Sequence, residues 1–269
     1  MSSFDLTRSH VTARRLTLRL AVRDTAGMAK RNMLRISRTQ QSLWMVALQP
    51  AMILLLFRYV ASGAIRVPGG YTEYIVRAVF LEAMLMTGML TSIGIAMDLK
   101  SGITDRFRSL PMARSAVLAG RTLADLSRCV LSLAVMIGLG VAVGFRFHAP
   151  IGSILGGIAL VLLFGFAFSW LYATIGLAAK DPETAQSASI LPLFILFFAS
   201  NAIVPVATMP GWLQPFARNQ PVTVTISAVR ALFEGAPAAH YAWGSLAWSA
   251  GILLTFFAVS LTLYRKTLS

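Results

Sequence analysis

Very few groups in this sequence could do chemistry. There is no G-x-x-x-x-G-K-[S/T] stretch, and so no P-loop of backbone N–H groups to cradle nucleotide phosphates. H-E-x-x-H and G-x-S-x-G are absent as well. His10, His148 and His240 lie far apart, and none stands at ligand spacing from a cysteine or a carboxylate. His148 and His240 fall in expected outer loops and read as solvated. The single cysteine, Cys129, excludes an intrachain disulfide and a cysteine-rich metal site, and near the start of an apolar run it reads as a packing residue. One group stands out. Glu82 lies inside an apolar run, about eight residues or about 12 Å from its outer end. A carboxylate at membrane depth is costly and raises a functional reading by default. Arg77 is five residues away, about 140° around a helix, and makes a poor intrahelical partner for it. A proton relay would want a second deep carboxylate, and the sequence offers none.

The elements that position Glu82 follow from composition. Of 269 residues, 57% are apolar and only 13% charged. Mean hydropathy is +0.70. Soluble domains carry about 25% charged residues, so this balance argues against a soluble enzyme and against disorder. It predicts an all-α integral membrane protein. The net charge of +14 comes from 24 Lys+Arg against 10 Asp+Glu. The basic residues sit between apolar runs, which points to membrane orientation and anionic lipid as a partner, not nucleic acid.

Six apolar runs are legible: 43–60, 75–97, 126–147, 151–179, 187–206 and 241–263. Each is near the roughly 20 residues that a helical span needs. No apolar stretch in the first 41 residues is long enough for a signal-peptide core, so the N-terminus is expected in the cytoplasm. Six spans then return the C-terminus to the same side. With this topology 18 of the 24 basic residues lie inside. That bias supports a multi-pass protein of the cytoplasmic (inner) membrane with both termini cytoplasmic. Gln49-Pro50, Pro192 and the stretch from Asn201 to Pro205 interrupt runs one and five and read as kinks or polar contacts. Gly140-x-x-x-Gly144 and Gly152-x-x-x-Gly156 would allow close helix contacts.

Three segments outside the runs are patterned. In 26–42, apolar Ala29, Met33 and Ile36 and basic Arg31, Arg35 and Arg38 form two stripes about 200° apart on a helix. This predicts an amphipathic interfacial helix and makes 1–42 a cytoplasmic N-terminal unit, followed by a membrane domain over 43–269. In the loop 98–125, Gly102 permits a break and Pro111 ends any helix begun near Ile103. The short helix between them carries apolar Ile103, Phe107 and Leu110 on one face, with Asp105, Arg106 and Arg108 beside them. An apolar face on a short exposed helix suits a protein partner. In 207–239, Pro221 suits the first turn and Gly235 the stop of a helix over 222–233. Twelve residues are too few to cross, so a re-entrant or interfacial segment is expected between spans five and six.

These features together resemble the membrane subunit of ABC-2 type exporters, the daunorubicin-resistance (Drr) permeases among them. The resemblance rests on the basic amphipathic helix, the six runs, and the loop Gly102-Ile-Thr-Asp-Arg-Phe-Arg-Ser-Leu-Pro111 continuing into Met112-Ala-Arg114 and Gly120-Arg121. The outer Met209-Pro-Gly-Trp212, Asn219-Gln-Pro221 and Arg230 complete it. It covers essentially all of the chain after about residue 25.

The resemblance implies that two such subunits, identical or paired with a homologue, join two separate ATPase subunits. Those partners would bind ATP and Mg, and this chain would bind no cofactor and no metal. Gly102, Ile103, Asp105, Arg106, Phe107, Arg108, Leu110 and Pro111 would form the coupling helix seated in the ATPase, and 26–42 the connecting helix. Spans two and five would lie near the dimer seam. The segment 222–233 would cap the path. Glu82, Asn201, Asn219, Gln220, Pro221 and Arg230 are candidates for the translocation path or its gate. The cargo would be amphipathic drugs or lipids. The alternatives are a proton-coupled drug transporter, which Glu82 alone would have to serve, and a non-transporting scaffold. No catalytic constellation supports a membrane enzyme.

Overall fold

The computed structural model describes residues 40–63, 65, 67, 70–101 and 114–267, with side chains described for 48–60, 62–63, 65, 67, 70–101 and 125–264. The expected helix over 26–42 lies outside the described residues except for 40–42, and so do the coupling-loop residues Gly102, Ile103, Asp105, Arg106, Phe107, Arg108, Leu110 and Pro111.

Every described element is helical. α1 (Gln40–Leu56) contains Pro50 and runs into a π-helical turn, Phe57–Ala61. α2 spans Tyr71–Lys100, α3 Arg114–Ala142 and α4 Ile151–Ala178. α5 covers Pro182–Phe198, α6 Gln214–Asn219, α7 Pro221–Glu234 and α8 Ala239–Thr267. Four stretches are long and apolar enough to cross a membrane among the described residues: Tyr71–Lys100, Asp125–Ala142, Ile151–Ala178 and Ala239–Tyr264.

Each expected run has a helix, with altered ends. α3 stops at Ala142, not near 147, because the chain turns at Gly144, whose φ is 101°. α5 begins five residues earlier than expected and stops at Phe198. Its start is set by Asp181, whose carboxylate accepts from the Thr184 N–H at 2.8 Å and from the Thr184 hydroxyl at 2.9 Å, with Pro182 in the first turn. Those hydrogen bonds, the backbone one foremost, hold the exposed Asp181 carboxyl below its usual range. The expected loop 98–125 is shorter than its composition suggested, since α2 runs to Lys100 and α3 begins at Arg114.

α2 is the central post. From Ile75 to Leu85 every side chain is buried, on all faces of the helix. α4 packs most extensively on it, with α1, α3, α5 and α7 on the other sides and α8 behind α4. The α2–α4 contact is made close by glycine. A Cβ on Gly88 would lie 2.4 Å from the Tyr172 ring, one on Gly165 2.8 Å from the Met84 sulfur, and one on Gly176 2.4 Å from the Ser92 carbonyl oxygen. With no gain in apolar burial between helices in lipid, such backbone approach supplies the packing. The two expected G-x-x-x-G pairs do not work this way. Gly140 alone meets a neighbour helix, at Val76 on α2, whereas Gly152 and Gly156 have open space around them. Large apolar side chains face outward on α1 and its π turn (Met52, Leu56, Val60), α5 (Leu191, Phe194, Ile195) and α8 (Trp243, Leu254).

Candidate functional site

A polar network lies where the start of α2 meets α7 and the turn after α5. Glu73 and Arg77 are one helical turn apart, and the Arg77 guanidinium donates to the Glu73 carboxylate at 2.8 Å. The same guanidinium pairs with Glu234, the last residue of α7. Arg77 is 2% exposed and Glu234 is 50% exposed, so the pair closes the network toward its rim. An acidic residue at a helix C-terminus opposes the helix dipole, and Arg77 offsets that cost. His148 Nδ1 stands 3.6 Å from Glu73. It is therefore beside a carboxylate, not simply solvated as its loop position suggested.

One turn back toward the start of α7, Arg230 lies over the Tyr74 ring, 3.5 Å from its centroid. It donates to the Asn201 carbonyl at 2.9 Å and to the Tyr74 carbonyl at 3.2 Å. The Tyr74 hydroxyl donates to that same Asn201 carbonyl at 2.7 Å. Asn201 also donates through its side-chain amide to the Ser227 hydroxyl (2.9 Å) and through its backbone N–H to the Thr223 hydroxyl (3.1 Å). The turn after α5 is thus bonded to α2 and α7 together. Gln220 completes the arrangement: its amide donates to the Leu196 and Ala199 carbonyls, each at 2.9 Å, covering acceptors that α5 leaves unpaired at its end. Phe80, Phe145, Phe147 and Phe233 form edge-on ring contacts directly beneath, with Arg77 5.6 Å above the Phe145 ring.

The sequence-derived candidates therefore divide. Asn201, Gln220 and Arg230 come together, with Pro221 setting the first turn of α7. Asn219 points elsewhere: it is exposed, its amide donates to the Pro215 carbonyl at 2.9 Å, and it lines a separate groove. Glu82 is deeper on α2, 1% exposed, and neither carboxylate oxygen has a hydrogen-bond partner among the described residues. Sequence reasoning missed Glu73, Tyr74 and Glu234. The i, i+4 spacing of Glu73 and Arg77 was a usable signal; the bond from Arg77 to Glu234, far along the chain, was not.

No group of three or more His, Cys, Asp or Glu side chains could hold a metal ion among the described residues. The arrangement is a set of charged and polar bonds that holds a short helix against the bundle.

An all-helical bundle with several membrane-crossing helices and a short buried helix bonded at one end is a multi-pass membrane protein. The sequence matches the ABC-2 type transporter family over residues 24–233, and the chain belongs to that family. It is 33% identical over 222 residues to the daunorubicin resistance ABC transporter permease protein DrrB1 of Streptomyces coeruleorubidus, covering 82% of this chain and 78% of the relative. It is 31% identical over 193 residues to the probable doxorubicin resistance ABC transporter permease protein DrrC of Mycobacterium tuberculosis, covering 71% and 69%. The M. tuberculosis doxorubicin resistance permease DrrB is 28% identical over 175 residues, covering 65% and 61%.

The isolated Glu82 carboxyl yields a prediction. Glu82→Gln keeps the shape of the side chain and removes its ionisable proton, so assembly should be nearly unchanged. Where the carboxyl serves transport, transport should fall by about tenfold, about 1.4 kcal/mol. Efflux assays at matched membrane expression check this. Equal efflux would make Glu82 a packing residue.

Proposed function

We propose that this chain is the transmembrane permease subunit of an ATP-driven exporter of hydrophobic or amphipathic compounds, energised by a separate ATPase. The observation that supports this most is the similarity to drug-resistance permeases across most of the chain. In this reading two permeases, identical or homologous, assemble with two ATPase copies in the cytoplasmic membrane, and ATP and Mg bind on the partners. α2, α3, α4 and α8 cross the bilayer. α1 with its π turn and α5 supply two shorter spans; 17 residues of α5 rise about 26 Å, at the lower limit for crossing. Both termini lie in the cytoplasm.

α7 is the re-entrant element. Its 14 residues rise about 21 Å, short of a bilayer core of about 30 Å. Its buried face includes Val222, Ile226, Val229 and Phe233, and its Arg230 ties it to α2 and the turn after α5. A tilt of α2 relative to α5 would strain those bonds, so the network is placed to act as a latch on the outer end of the path. The tilt would begin at 102–111, which leaves the inner end of α2 directly. There Phe107 anchors in the ATPase and Asp105, Arg106 and Arg108 set the register.

The test is Phe107→Ala, alone and with Arg108→Glu, in a purified complex. Membrane insertion should be unchanged, and drug-stimulated ATPase activity should fall at least tenfold, the usual cost of losing an aromatic anchor. Undiminished stimulation removes the loop from this role. The proton-coupled alternative draws on Glu82 alone, which has no hydrogen-bond partner among the described residues. Asp125, the other acidic side chain buried among the described residues, is paired with Arg128.

A further inference from the structure

The turn between α3 and α4 rests on the same joint that Arg77 closes. The Phe147 ring meets the Phe233 ring edge-on, with 5.0 Å between centroids. The His148 backbone N–H donates to the Phe233 carbonyl at 3.2 Å, covering an acceptor in the last turn of α7. The His148 side chain reaches the other way, to α2. Its Nδ1 stands 3.6 Å from Glu73 Oε1, while Glu73 Oε2 accepts from Arg77 at 2.8 Å. His148 therefore bridges α7 and α2 in parallel with Arg77, which pairs with both Glu73 and Glu234.

This joint has room for one more cation. Glu73 and Glu234 share the Arg77 guanidinium, and the C-terminus of α7 adds its negative dipole end beside them. The other charged groups described on the packed elements are engaged elsewhere. Arg230 on α7 donates to the Asn201 and Tyr74 carbonyls. Arg146, on the same turn as His148, donates back to the Val141 and Phe145 carbonyls. Arg58, past α1, lies against the ring of its neighbour Tyr59. From Cys129 to Ala142 α3 carries no charged residue, and α4 carries none at all.

His148 is 57% exposed, so protons from solvent reach it. Imidazole is the side chain whose ordinary titration falls between about pH 5 and 8. Carboxylates as a class titrate about two units lower, so this window belongs to histidine. A neutral ring at 3.6 Å is beside Glu73 without a hydrogen bond to it. An imidazolium supplies the further cation, and its ion pair with Glu73 exists only while α2 and α7 are docked. The docked joint therefore takes up the proton more readily than the parted one. By linkage, acid tightens the joint, and the gain is lost as pH rises through the histidine range. We propose that His148 is a proton-operated clasp on this polar network: protonated, it pairs with Glu73, holds α7 to α2 and slows transport. The inference rests on the latch role given to α7 above and adds a regulator to it.

Two measurements test the clasp. The first is the melting temperature of the detergent-purified complex at about pH 8 and about pH 6. It is read for the parent, His148→Gln, Glu73→Gln and the double variant. At the lower pH the parent should melt about 1–3 °C above His148→Gln, and at the higher pH that advantage should shrink. With Glu73→Gln in place the advantage should vanish, which identifies the partner. Glu73→Asp, which keeps a charge for Arg77 but shortens the reach, serves where Glu73→Gln does not fold. The second is ATP-driven daunorubicin uptake into everted vesicles buffered alike on both sides, so that no gradient acts. The ratio of parent to His148→Gln cancels the pH dependence of the drug and of the ATPase. That ratio should fall about threefold between the higher and the lower pH. ATP hydrolysis by the complex supplies the same ratio where daunorubicin is not carried. A melting advantage that ignores pH, or that survives Glu73→Gln, overturns the clasp. So does a flat ratio while Arg230→Met, measured alongside, lowers transport. Should Arg230→Met transport like the parent, the latch reading itself fails and takes the clasp with it.

Discussion

Arg230→Met is expected to release α7 and to cost roughly 3 kcal/mol of stability, with efflux falling at least tenfold. The guanidinium makes two bonds to backbone carbonyls, at 2.9 and 3.2 Å, and lies 3.5 Å from the centroid of the Tyr74 ring. Methionine retains the length and apolar stem of the side chain but none of these contacts. The Tyr74 carbonyl loses a side-chain donor, and the Asn201 carbonyl keeps only the Tyr74 hydroxyl. Arg230→Lys should fall between the two, since an ammonium keeps the charge but cannot present the same planar fork. Thermal unfolding of the detergent-purified complex, alongside efflux at matched expression, measures both parts. A methionine variant as stable and as active as the parent would mean that apolar packing alone holds α7.

Gly176→Ala is expected to be more damaging than its single added methyl suggests. The new Cβ would stand 2.4 Å from the Ser92 carbonyl oxygen and 3.0 Å from the Ile95 Cβ. A backbone carbonyl inside a helix cannot rotate away, so α2 and α4 must separate along their most extensive contact. Overpacking of this kind costs about 1–3 kcal/mol, and the rigid obstacle puts this case at the upper end. Gly156→Ala is the matched control. It lies in the same helix with nothing within 4 Å, so the helical preference of alanine should leave stability unchanged or raise it by up to about 1 kcal/mol. Folded yield and melting temperature should therefore fall for Gly176→Ala and hold or rise for Gly156→Ala.

The same glycines show what the sequence could and could not convey. Apolar runs locate helices because a membrane span has to satisfy its own backbone, and each of the six runs has its helix. Pro221 and Gly235 bracket α7 as expected, Gly235 with a φ of 73° that suits a helix stop. Contact partners were less visible. G-x-x-x-G spacing selected Gly152 and Gly156, where an added Cβ would meet nothing within 4 Å, and passed over Gly88, Gly165 and Gly176, which bring α2 and α4 together. Spacing within one helix does not say which face meets a neighbour. The polar network was half legible for a similar reason. Asn201, Gln220 and Arg230 stand out as polar residues in apolar surroundings, whereas Glu234 reads as an ordinary helix-end acid until the fold brings Arg77 to it. Glu82 was conspicuous in the sequence and keeps its distinction in the structure, buried and without a hydrogen-bond partner among the described residues.

The central claim is that this bundle does no energy-yielding chemistry of its own and is driven by a soluble nucleotide-hydrolysing subunit gripping 102–111. Copurification addresses it most directly. The tagged full chain, extracted in mild detergent from cells that also express the candidate ATPase, should carry that subunit with it in equal amount. Phe107→Ala with Arg108→Glu should abolish the association while leaving the chain folded in the membrane. A chain that purifies alone, and in vesicles moves drug on a proton gradient without ATP, would contradict the account.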